Sequence, residues 1–318
     1  MDQFFVVLMQ IGVFLLMIVT GVITVRCHIL NEQSLAAVSK LVMRVLLPAF
    51  IFVNTAEGAT RAGLKESLLV IPIALAMYAL LWLLATVLVR IFHLSGNRER
   101  VFRAIVMFGN VGFMGIPLVT ELYPTTALLY ISLLTIIDQS LFWTYGVSLT
   151  QPAREAGAPK EKFSLKGLKN VLSPALVAII LATVLVLLDL HLPKVLTTTL
   201  TKLGAASMPM SLIYIGGMLS MTDVRAVLRC WELYAEIALK MIVLPIAFFA
   251  VLMLLHTPVD MAGTMTFIFG LPAINMVAML SKANGSDGDY AVCAVMLTTL
   301  VCLVTLPIVS LGIALISG

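Results

Sequence analysis

The chain has 318 residues, 61% of them hydrophobic and 11% charged, and its mean hydropathy is +1.09. A soluble domain is nearer a quarter charged, and a chain of this length has no room to bury several apolar runs of twenty or more residues together, so a soluble globular protein is excluded. The runs are continuous rather than alternating, which excludes a β-barrel, and the net charge of +4 carries information only once the basic residues are placed on a topology.

Ten apolar segments are expected in order, at about 4–25, 36–56, 68–92, 101–120, 126–149, 170–189, 195–222, 228–255, 261–281 and 288–315. The first, Phe4 to Val25, is long enough for a ~30 Å hydrocarbon core and too long for the apolar stretch of a signal peptide. Between the fifth and sixth lies a polar linker, Thr150 to Lys169, with Pro152, Gly157, Pro159 and Lys160-Glu161-Lys162. Placing the N-terminus outside puts thirteen Lys and Arg in inner loops and three in outer loops, a strong positive-inside bias. Both termini are therefore expected outside an inner or plasma membrane, with the linker in the cytoplasm.

The linker divides the spans five and five, so the second half is inverted relative to the first. The expected fold is an all-α membrane protein of ten transmembrane helices in two inverted five-helix repeats, 1–149 and 170–318, joined by the 150–169 linker. The fourth and ninth spans carry corresponding irregularities. Phe108-Gly109-Asn110-Val111-Gly112-Phe113-Met114-Gly115-Ile116-Pro117 holds three glycines, an amide and a proline inside an apolar run. Gly270-Leu271-Pro272-Ala273-Ile274-Asn275 repeats the theme. Proline has no N–H and its ring clashes with the carbonyl four residues back. Backbone groups freed in lipid are tolerated only inside protein or beside a wet cavity. Paired interrupted spans point to a transporter binding site. A simple proline kink in each span is the competing reading.

A broken helix presents bare N–H groups at the start of its second piece, a ready site for an anion such as a carboxylate. Two crossed breaks bring two such ends together, and no arginine lies mid-span to do the work instead. Asn110 and Asn275 either contact the ligand or satisfy freed backbone. Gly112 and Gly115, with Gly109, either let a ligand approach the backbone or form a helix-packing face. Asp138, in Thr135-Ile136-Ile137-Asp138-Gln139-Ser140, is a carboxylate at the centre of a span and so a functional hypothesis. It either binds a coupling proton or sodium ion or is a structural acid. Glu236 and Lys240, four apart on the eighth span, read as a structural or boundary helical pair whose lysine has a stem long enough to snorkel. Asp287 and Asp289 read as helix caps. No metal-ligand spacing, enzyme signature or nucleotide loop is present among the motifs sought, so neither an enzyme nor a cofactor is expected, and no nucleic-acid partner.

Asn110-Val-Gly-Phe-Met-Gly-Ile-Pro117-Leu resembles the fourth-span motif of the auxin efflux carrier family, which holds the plant PIN carriers and many prokaryotic permeases. Leu47-Pro48-Ala49-Phe50, Met208-Pro209-Met210 with Gly216-Gly217, Leu271-Pro272 and Thr305-Leu306-Pro307 are similar to its second, seventh, ninth and tenth spans. The resemblance implies two inverted repeats crossing at Pro117 and Pro272, a carboxylate facing Asn110, Gln139 as the fifth-span glutamine, and a homodimer through the second and seventh spans. Two departures stand out: a linker of only about twenty residues, and Asp138 where an apolar residue is expected. The resulting expectation is a secondary transporter of small organic acid anions, auxin-like or dicarboxylate, by alternating access. The alternatives are an ion-coupled symporter or antiporter using Asp138, and a membrane ligand sensor that moves nothing.

Overall fold

Peptide groups in lipid have no water to bond and must be satisfied within the chain. The computed structural model describes residues 2–58, 68–123, 126–153, 174–190, 192–221 and 229–317, and among these no strand forms beyond one isolated antiparallel bridge. Helix α1 is Asp2–Arg26. Helix α2 runs through Glu32–Leu41, a π turn at Val42–Leu46, and Leu47–Gly58. Helix α3 is Val70–Ile91. The fourth segment splits into α4, Gly96–Met107, and α5, a π turn at Val111–Gly115 leading into Ile116–Leu122. Helix α6 comprises Ala127–Leu141, a π turn at Phe142–Gly146, and Val147–Leu149.

In the second half, α7 is Pro174–Leu188, followed by α8, Lys194–Ala205, and α9, Ser207–Leu219. Helix α10 comprises Trp231–Ala238, a π turn at Leu239–Val243, and Leu244–Leu254. The ninth segment splits into α11, Val259–Phe269, and α12, Asn275–Ala283, and α13 is Gly288–Ser317. Among the described residues, four helices are long and apolar enough to cross a membrane: Glu32–Glu57, Val70–Ile91, Trp231–Leu254 and Gly288–Ser317. Gly12–Arg26, Val177–Leu188 and Val259–Phe269 are shorter apolar pieces. The halves of the broken segments are shorter than a span because, at ~1.5 Å per residue, each reaches only part-way through hydrocarbon. Most of the linker, 154–169, lies outside the described residues.

Among the described residues, three of the four π turns end two residues before a proline, at Pro48, Pro117 and Pro245. Proline offers no N–H to the carbonyl four residues back, and widening one turn re-satisfies the ladder without ending the helix. The helices ending at Arg26, Ile91, Leu188 and Leu254 are each followed by a residue at positive φ: His28, His93, Asp189 and His256. These left-handed residues turn the chain out of the helix.

Several helix contacts come in corresponding pairs. Helix α1 lies along α9, and α7 lies along α2; α3 packs on α6, and α10 on α13; α4 meets α13, and α11 meets α6. The α1–α9 contact is the tightest. A methyl group on Gly21 would strike the Ile213 carbonyl, and one on Gly216 would strike the Ile18 carbonyl. Small residues at such points let backbones approach where lipid gives no hydrophobic drive. Gly216→Ala is expected to cost about 1–3 kcal/mol through forced overpacking. Gly12→Ala, which meets open space, should change stability by less than about 0.5 kcal/mol. Thermal melting of the two variants in detergent measures the difference.

Candidate functional site

Gly109 and Gly270 are poor helix formers, and Leu271, preceding Pro272, is driven off helical geometry. The chain is extended at Phe108, and the two interruptions meet. Asn110 N–H donates to the Pro272 carbonyl at 2.8 Å, and Ile274 N–H donates to the Phe108 carbonyl at 3.0 Å. Gly109 and Ala273 face each other between these bonds, and Ala273 N–H donates to Thr298 Oγ1 on α13 at 3.2 Å. The Ile105 carbonyl, freed because its helical partner would be Gly109, accepts from Lys240 Nζ on α10 at 3.0 Å. The break in the fourth segment therefore falls seven residues before Pro117, and that proline sits in the first turn of the α-helical piece after the π turn. Pro272 stands inside its own break.

Helices α5 and α12 both begin at this junction, so two sets of first-turn amides without intrahelical acceptors start side by side. Beside them is a void of about 20 Å³, lined by Asn110, Gly112, Ile274 and Met276 from the two breaks, Phe50 and Asn54 from α2, and Thr135 and Gln139 from α6. That is room for about one water. Asn110 is 1% exposed, and its Oδ1 has no hydrogen-bond partner. The Phe50 ring lies 3.1 Å from where a Gly112 methyl would be. A larger residue at 112 would close the void.

Gln139 is held at both ends of its amide. Its Oε1 accepts from Trp143 Nε1 at 3.1 Å, and its Nε2 donates to Asp138 Oδ2 at 2.7 Å. Indole nitrogen only donates, which fixes the amide's orientation. Asp138, 1% exposed, also accepts from the Tyr78 hydroxyl on α3 through Oδ1. Asp138 thus stands behind the void wall, with both oxygens engaged, and reaches the void through Gln139.

The remaining sequence candidates separate. Gly115 packs against Ile268 and Leu271, where a methyl would be 2.7 Å and 2.9 Å from their Cδ1 atoms. It serves the junction's packing. Asn275, fully buried, points its Nδ2 at Ser211 Oγ on α9, 3.5 Å away, and leaves Oδ1 without a partner. Glu236 and Lys240 form a pair 3.5 Å apart with both side chains 0% exposed, which fits the structural rather than the boundary reading of that pair. Asp289 pairs with Lys282 at 3.0 Å, and Asp287 Oδ1 accepts from Tyr290 N–H.

A family model described as membrane transport protein matches residues 6–310. The chain belongs to this family, the auxin efflux carrier family. It is also similar to a protein described as uncharacterized transporter YfdV, from Escherichia coli K12 and from Shigella flexneri. The identity is 23% over 274 residues, covering 83% of this chain and 84% of each relative.

In this member of the family, several site-forming residues carry no motif of their own. Asn54, whose Nδ2 donates to the Phe50 carbonyl at 2.9 Å, and Thr135 and Tyr78 were detectable only as polar groups inside apolar spans. Thr298 and Lys240 gain their roles from helices that the sequence separates from the junction by 25 and 135 residues. The Tyr78–Asp138–Gln139–Trp143 chain generates a stability prediction. Tyr78→Phe removes one donor from a buried carboxylate and is expected to cost about 1–3 kcal/mol, read as a lower melting temperature. Tyr145→Phe, on the exposed side of α6, serves as the control and should leave it unchanged.

Proposed function

We propose that this chain is a secondary transporter of small organic acid anions, auxin-like aromatic acids or dicarboxylates such as malate and malonate. The anion sits at the junction of the fourth and ninth segments and crosses by alternating access. The observation that carries this reading is the reciprocal backbone pairing of two helix breaks next to a void lined by residues of both halves, its side-chain amides Asn54, Asn110 and Gln139 coming from the first. Two helix starts and the Asn110 and Gln139 amides supply donors for a carboxylate without a cation in the void wall.

In this reading the chain has ten spans in two inverted repeats, 1–149 and 170–318, with both termini outside a cell membrane and the 150–169 linker in the cytoplasm. The matched contacts, breaks and helix-end turns of the two halves support it. Helices α1, α2, α7, α8 and α9 form the static group, and the rest form a bundle that shifts against it as an elevator or rocker. The static group offers α2 and α8–α9 for a homodimer. A void of about 20 Å³ admits one water, so an acid enters only when α2 and the junction separate.

Uptake and counterflow of labelled malonate, malate and an aromatic acid in vesicles containing the purified protein test the reading. Movement above empty vesicles is expected, and Gly112→Leu, which fills the void, should reduce it at least about tenfold, equivalent to ~1.4 kcal/mol. No movement of any acid rejects the assignment, and saturable binding without counterflow favours a sensor.

A second reading makes Asp138 the ligand of a coupling proton or sodium ion. The Asp138–Gln139 hydrogen bond favours it, since any change at Asp138 is felt at the void wall. If Asp138→Asn leaves the pH and sodium dependence of transport unaltered, this second reading fails.

A further inference from the structure

Beside the junction, and not among the residues that line the void, stands a pair of charges that the transport reading leaves unused. Glu236 and Lys240 lie one turn apart on α10, at the start of its π turn, and each is 0% exposed. Lys240 Nζ is 3.5 Å from Glu236 Oε1 and spends a hydrogen bond on the Ile105 carbonyl. Neither carboxylate oxygen of Glu236 has a hydrogen-bond partner; the 3.5 Å approach is charge contact at the limit of bonding distance. Asp138, by contrast, has a donor on each oxygen.

Burying an ion pair loses more hydration than the attraction returns unless the remaining lone pairs are satisfied. Inside a membrane such a pair is a functional hypothesis by default. Its surroundings isolate it. On α10 itself, Glu232 is held by Arg98 of α4 at 2.6 Å and by the Tyr290 hydroxyl of α13 at 3.3 Å. On α4, Arg103 is tied to Glu99, and Arg100 donates to the Ser148 and Gln151 carbonyls. On α3, Tyr78 is bonded to Asp138, and Arg90 lies in the last turn. On α13, Asp289 is paired with Lys282, and Cys293 and Cys302 are buried thiols. Among the described residues, Lys240 is the charged group in contact with the Glu236 carboxylate.

We propose that Glu236 is a proton-binding site that couples proton movement to the anion at the junction; this rests on the transport reading above. With Glu236 ionised, the pair has no net charge. When a proton from water on the open side binds a Glu236 oxygen, Lys240 remains as a single cation. That cation is fixed on the Ile105 carbonyl, in the last turn before the break. Its charge favours an anion at the junction, and the loaded bundle carries one negative charge fewer than the anion alone. On the other face the proton returns to water as the anion leaves. The O–H bond on Glu236 is the only bond made and broken.

The test uses the full chain in vesicles, labelled malonate as probe, and the membrane potential clamped at zero. With one proton per anion, a one-unit pH gradient, acid outside, is expected to drive about tenfold accumulation. Glu236→Gln should keep counterflow while accumulation falls to the level without a gradient. The paired variant Glu236→Leu/Lys240→Leu leaves no charge unpaired, covers the case in which the single variant misfolds, and should also fail to accumulate. A substrate-free readout runs beside it: an infrared carboxylic-acid band that titrates with pH, lost in Glu236→Gln and kept in Asp138→Asn. Gradient-driven accumulation in Glu236→Gln, or survival of its titrating band, overturns the proposal. Loss of both signals in Asp138→Asn alone also overturns it and moves the site to Asp138. If malonate fails to move in any variant while the band still follows Glu236, the substrate class falls and the proton site stands.

Discussion

Two extended stretches, each interrupting a helix, satisfy one another's backbone. Asn110 N–H on the Pro272 carbonyl and Ile274 N–H on the Phe108 carbonyl close what either break alone would leave open. An unpaired buried peptide group costs several kcal/mol, so neither interruption is tolerable at depth in a bilayer without the other. Thr298 and Lys240 satisfy one further donor, the Ala273 N–H, and one further acceptor, the Ile105 carbonyl. Everything argued about the site follows from this mutual repair: it fixes the directions of α5 and α12 and brings their first turns to one void.

The same constraint explains how the chain spends its prolines. Where continuity matters, a π turn absorbs the lost hydrogen bond at Pro48, Pro117 and Pro245. Where a true break is wanted, Pro272 works with Gly270, and the freed groups find partners across the junction. Pro117 belongs to the first class although its motif suggests the second. The interruption is made instead around Gly109, where the backbone approaches Leu271 so closely that a methyl would stand 3.1 Å from its Cβ.

Charge is distributed by the same economy. Arg98, Glu232 and Tyr290 knit α4, α10 and α13 together near their ends, with the guanidinium 4.7 Å above the tyrosine ring. Deeper in, Lys240 sits at the C-terminal end of α4, where a cation is favoured by the helix dipole. This places a buried cation within a turn of a junction that otherwise offers only amides and peptide groups.

The sequence by itself determined that the chain is a helical membrane protein of a transport family, because apolar run length and the fourth-span motif are local properties. It also marked the two segments that break, since glycine and proline act on the residues beside them. It singled out Asn110, Gly112 and Gln139, each near a break or a recognisable motif, and these three line one void. Only the tertiary structure decided that the breaks pair at residues 108–110 and 272–274, that Asp138 backs Gln139 from behind, that Asn275 turns to Ser211, and that Lys240 is buried rather than interfacial. Each of these depends on which helix supplies the missing partner, and spacing along one chain carries no information about a partner 64 or 135 residues away.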